Sequence, residues 1–180
     1  MNRYAYAFHR DIQDDEVFIR FPEFPEIFST IPREKFKTMS VNDIQNHASD
    51  AVITALQARI VGRGDIPSGD NPNLVKADGF VILSVQQAMK LELFRIYKEN
   101  CRSISEFGKI INKKETAVRR MLNLRHPSLA TEIEVASEVF GKRIVHSWDI
   151  EPAGPSGHSA RPLLASARPK KAPDQPGSTP

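Results

Sequence analysis

Apolar residues along this chain follow two different rhythms. Near the N-terminus they come in short runs rich in aromatic and β-branched types, the composition of strands: Tyr4-Ala5-Tyr6-Ala7-Phe8, and then Glu16-Val17-Phe18-Ile19-Arg20-Phe21. The polar link between them, residues 11–15, is short, so an antiparallel pair is the expected connection. Pro22 and Pro25 have no amide hydrogen to give a ladder and interrupt it. Glu26-Ile27-Phe28-Ser29-Thr30-Ile31 then resumes as a third strand. From Ser40 the rhythm is helical. Val41, Ile44, Ala48, Val52, Ala55 and Leu56 form one apolar stripe, behind a Ser40–Asp43 capping box. Residues 62–72 read as a loop and 79–83 as the last strand of this first unit.

Beyond residue 84 the pattern is helical almost throughout. Ser84 with Gln87 opens a helix whose Met89, Leu93, Ile96 and Tyr97 share a face. Ser103 with Glu106 opens a short second helix, Asn112-Lys113-Lys114 turns the chain, and a third helix runs from Glu115 to about Asn123. A fourth, about 129–140, ends at Gly141, and residues 143–148 are expected to form a short strand. Residues 152–180 hold seven Pro, three Gly and four Ser with only two large aliphatics. That composition predicts a disordered tail. The expected organisation is therefore α+β: an antiparallel-sheet/helix module over residues 1–83, an all-α helix-turn-helix domain with a short C-terminal strand over 84–151, and the tail.

The segment 104–123 carries the most specific signal. A helix pair that reads DNA needs a small residue where its helices cross, a turn residue tolerant of positive φ, and buried aliphatics in the second helix. Gly108, Asn112, and Ile111, Val118, Met121 and Leu122 are of those types. The remaining face of the second helix holds Lys114, Glu115, Thr116, Arg119, Arg120 and Asn123, types that reach base edges and phosphates. Thr116 and Arg119 are placed for bases. Lys113, Lys114, Arg120 and Arg125 are placed for phosphates. The competing interpretation is a helical hairpin with a basic, solvated face.

Charge is divided along the chain in the same sense. Residues 1–75 carry 8 Lys and Arg against 11 Asp and Glu, whereas residues 102–125 carry 7 against 2. An acidic first half and a basic patch in the second point to partners of opposite charge. The single cysteine, Cys101, excludes an internal disulfide framework and suits a reducing cytoplasm, where Cys101 would be a small filler near a helix end. No apolar run approaches the ~18 residues of a membrane span, and residues 1–4 show no signal-peptide pattern.

Over about residues 4–149 the order of these features resembles the HicB family of antitoxins. The motif Phe21-Pro22-Glu23-Phe24-Pro25 with the Ser40 helix resembles that family's partly degraded RNase H-like module. Ser103-Ile104-Ser105-Glu106-Phe107, Val118-Arg119-Arg120-Met121-Leu122-Asn123, Arg125-His126 and Gly141-Lys142-Arg143 resemble its Xre-like DNA-binding domain. Two positions depart from the family pattern: the first strand turn is Ile12-Gln13-Asp14-Asp15-Glu16 rather than glycine-rich, and Glu26 stands where a glycine often follows the second proline. The resemblance implies a HicA-type partner, a small basic RNA-cleaving toxin, and an operator bound through the helix-turn-helix; a single helix-turn-helix offers too little interface for a tight site, so a dimer is expected. Toxin contacts are expected near Asp14, Asp15, Glu16, Glu23 and Glu26, although each taken singly has the type and setting of an ordinary turn or surface acid.

Catalysis is not expected. Asp14, Asp15 and Glu16 are consecutive and diverge by strand alternation or turn geometry. The five histidines lack metal-ligand spacing, and no cofactor or metal site is read from the chain. Two rival readings are a weak Mg-dependent RNase H-like nuclease and a stand-alone transcription regulator whose first module senses a ligand.

Overall fold

The computed structural model describes residues 4–69 and 76–144. It is α+β: a four-stranded sheet and six helices. β1 (Ala5–Gln13), β2 (Glu16–Arg20), β3 (Phe28–Pro32) and β4 (Gly79–Ile82) lie in the order β3-β2-β1-β4, every neighbouring pair antiparallel. β1 runs on past Phe8, because Ile12 pairs with Val17 and Gln13 with Glu16. The polar link narrows to Asp14 and Asp15, and Asp14 turns the chain at φ 48°. Strand alternation sends Tyr6, Phe8, Val17, Ile19, Ile31 and Val81 to one buried face.

The proline segment after β2 forms two tight turns, with the Phe24 amide donating to Phe21 C=O (3.0 Å) and the Ile27 amide to Phe24 C=O (3.1 Å). Its prolines face solvent while Phe21 and Phe24 enter the core, Phe24 edge-on to Tyr6 at 5.1 Å. A six-residue helix not foreseen in the sequence, α1 (Arg33–Thr38), follows β3 directly; it buries no residue and so shows no hydrophobic period.

α2 (Val41–Val61) lies across β3 and β4 with Ala48, Val52, Ala55, Leu56 and Ile60 inward, behind the expected Ser40–Asp43 box. Its His47 Nε2 meets Ser29 Oγ at 2.6 Å, and its Gln45 donates to Phe80 C=O. α3 (Val85–Asn100) starts at the Ser84–Gln87 box and buries Met89, Leu93, Ile96 and Tyr97 as expected, and also Lys90. α4 (Ile104–Ile110), α5 (Glu115–Met121) and α6 (Ala130–Glu138) complete the described fold. Gly141 ends the last segment at φ 65°. One hydrophobic cluster runs from Tyr4 to Ala136, so the core is continuous across the sheet and the later helices. Cys101 caps α3 and is buried in that cluster.

Residues 143 and 144 belong to no regular element, and the rest of the strand expected over 143–148, with the 152–180 tail, lies outside the described residues. Among the described residues no helix is long and apolar enough to cross a membrane.

Candidate functional site

α4 and α5 are joined by a turn whose tightness follows from two residues. Asn112 sits at φ 54°, a conformation asparagine tolerates better than most residues. The Lys113 amide donates to Gly108 C=O at 2.8 Å. A Cβ on Gly108 would lie 2.7 Å from Lys113 O and 3.4 Å from a Val118 methyl carbon. The glycine is thus what lets the two helices cross this closely. Below the crossing Phe107, Ile111, Val118, Met121 and Leu122 are buried.

That arrangement turns Lys114, Glu115, Thr116, Arg119 and Arg120 outward, all of them exposed. Arg119 is held by Glu115 one turn earlier: its Nε and Nη2 donate to Glu115 Oε1 at 3.0 and 2.6 Å. Glu115 therefore orients Arg119. Among the described residues Lys114 and Arg120 make no ion pair, which leaves their charge available to an anion. Lys113 faces Glu132 of α6 at 3.8 Å.

Two residues expected on this surface lie elsewhere. Asn123 is half-buried past the end of α5, its Oδ1 accepting from the Arg125 amide at 2.9 Å. Arg125 reaches back to α2, donating to Asp50 Oδ1 (3.2 Å) and Thr54 Oγ1 (2.8 Å). Asn123 leaves the outer face because α5 ends at Met121 rather than at residue 123, and Arg125, in the break after the helix, is drawn back to α2. The residue that spacing missed is Lys90. It lies wholly inside, donating to the carbonyls of Asn123 (2.6 Å) and His126, and burial lowers its pKa to about 8.

The five acids expected to meet a protein partner do not form one patch. Asp14, Asp15 and Glu16 sit exposed at the β1–β2 turn, where Arg33 takes the Asp14 and Asp15 carbonyls. Glu23 and Glu26 lie beyond the other end of β2, about 17 Å away at the usual strand rise. Both carboxylate oxygens of Glu23 are buried with no hydrogen-bond partner among the described residues. Glu26 accepts from Arg59 Nε (2.9 Å) and Nη2 (2.5 Å), with that guanidinium 5.0 Å above the Phe24 ring. Burial pushes the Glu26 pKa up, but its own backbone amide and the Arg59 guanidinium outweigh this and hold it below the usual value.

Among the described residues no group of three or more His, Cys, Asp or Glu side chains is placed to hold a metal ion. Compared with known proteins, the chain matches no family model and no curated protein.

Proposed function

We propose that this protein is a non-enzymatic antitoxin and repressor of the HicB type, whose α4–α5 pair reads an operator while its sheet module holds a small basic RNA-cleaving toxin. The observation that carries the DNA half is the outward row Lys114, Thr116, Arg119 and Arg120 on a helix set close above α4 by Gly108 and Asn112. A helix so placed presents its first turns to a major groove, with guanidinium groups able to take guanine bidentately and ammonium groups to meet phosphates. One such pair buries too little surface for a tight site, so a dimer on a two-fold operator is part of the proposal.

The toxin half rests on the family resemblance and on the exposed acids at the β1–β2 turn, which suit a basic protein.

Two measurements test the proposal together. The protein should select a two-fold duplex from a random library, and co-expression with the neighbouring reading frame should yield a small co-purifying basic protein. Selection without a partner would leave a stand-alone regulator. A partner without selection would remove the operator from the proposal.

A further inference from the structure

A lysine with no exposed surface is rare unless something pairs it. Lys90 has none, and what meets its ammonium is the peptide chain immediately after α5: the carbonyls of Asn123 (2.6 Å) and His126. Both carbonyls lie beyond Met121, the last residue of α5, so the ammonium holds the turn that follows the helix.

α5 needs such help. It spans seven residues, and its N-cap Lys114 makes no side-chain capping bond. A helix that short does not hold itself in water. The same turn is also gripped from α2, where Gln57 Oε1 accepts from the Leu124 amide (2.8 Å) and Asp50 and Thr54 accept from Arg125. α3 and α2 thus fix opposite groups of one short turn, and the turn fixes the end of α5.

We infer that Lys90 is a positioning residue for DNA reading: by binding the carbonyls of Asn123 and His126 it sets the angle at which α5 presents Thr116 and Arg119 to base edges. This rests on α5 being the reading helix. Lys90 cannot touch DNA itself, since it is wholly buried. A hydrophobic side chain would fill the same space without the cost of burying a charge, so retaining the ammonium is explained by the geometry it enforces.

The split between specific and non-specific binding tests this, because base readout depends on angle while phosphate contact depends mainly on charge. The probes are the duplex that wild-type protein selects from a random library and a scrambled duplex of equal length. In Lys90→Met, affinity for the selected duplex should fall ~10-fold or more, with the scrambled duplex within about twofold of wild type and the salt slope unchanged. Gln57→Leu, which keeps Lys90, should show the same split more weakly. Amide hydrogen exchange should quicken over residues 118–123 in Lys90→Met and stay unchanged in β1–β3.

A selected-duplex affinity within about twofold of wild type would overturn the inference. So would equal losses on both duplexes with exchange raised throughout, which is the signature of general unfolding. If wild-type protein selects no sequence, the DNA-reading proposal itself fails; the exchange comparison then still decides whether Lys90 holds α5, and unchanged exchange at 118–123 would refute that as well.

Discussion

Single side chains decide most of what can be tested at the candidate interface. Arg119 is pre-oriented by Glu115, and Arg119→Ala should cost ~1–3 kcal/mol of affinity for the selected duplex and relax preference at one base position. Partner binding should survive, as read by co-purification. Gly108 carries a different burden. Alanine there gains ~1 kcal/mol of helix propensity but places a Cβ 2.7 Å from a backbone oxygen, an overpacking that costs typically ~1–3 kcal/mol. Because the clash is with backbone rather than a flexible side chain, the loss should win, and urea unfolding of Gly108→Ala should show a lowered midpoint. Lys90 supplies a pH test. Burial lowers its folded pKa to about 8 from the usual 10.5, so between these values the unfolded chain binds more protons and stability rises with pH. That part of the slope, up to ~1.4 kcal/mol per pH unit, should be missing in Lys90→Met. Equal slopes in the two proteins would show that the folded state leaves the Lys90 pKa unshifted.

Elements whose signals are local were legible, and those set by distant contacts were not. Ser40 with Asp43 and Ser84 with Gln87 each form both bonds of a capping box, which is why the starts of α2 and α3 could be read from four residues. Ser103 behaves differently. Its hydroxyl takes the Glu106 amide, but the Glu106 carboxylate takes the Arg102 amide instead of completing the box. Ser84→Ala should therefore cost ~1 kcal/mol in thermal or urea unfolding, the usual cost of an N-cap. β1 beyond Phe8 leaves no strand signal because His9 to Gln13 are mostly polar, and only the ladder with β2 makes them strand. α1 buries nothing, and so leaves no periodic trace. The ends of α3 and α5 are stapled by cations from other elements. Arg63, at φ 54°, donates to the carbonyls of Lys98, Cys101 and Arg102, while Lys90 serves α5. Neither staple has a sequence signature, since each joins residues more than thirty positions apart. The outward row of α5 was legible because Gly108, Asn112 and the buried aliphatics fix which face is free. The departure of Asn123 and Arg125 from it was not, since that depended on where the helix stopped.

At the scale of the whole molecule, what matters is which positive charges remain free once the fold has formed. The sequence concentrates base over residues 102–125, but among the described residues the fold leaves only some of those cations unpaired. Lys114 and Arg120 are exposed and make no ion pair among the described residues. Lys113 faces Glu132, and Arg125 is bound at the surface to Asp50 and Thr54 of α2. A cation contributes to the salt dependence of duplex binding only if it replaces counterions at a phosphate, and each such contact steepens the log–log slope by ~0.9. Lys114→Ala and Arg120→Ala should each flatten the slope by about that amount and weaken all duplexes alike. Arg125→Ala should leave the slope nearly unchanged and instead lower stability, because it frees the turn that anchors α5 from α2. The measurement is affinity for one duplex over a series of salt concentrations, alongside urea unfolding of each variant. If Arg125→Ala flattened the slope as much as Lys114→Ala, its guanidinium would have to leave Asp50 on binding, and the turn after α5 would be a joint that opens on DNA rather than a fixed mount.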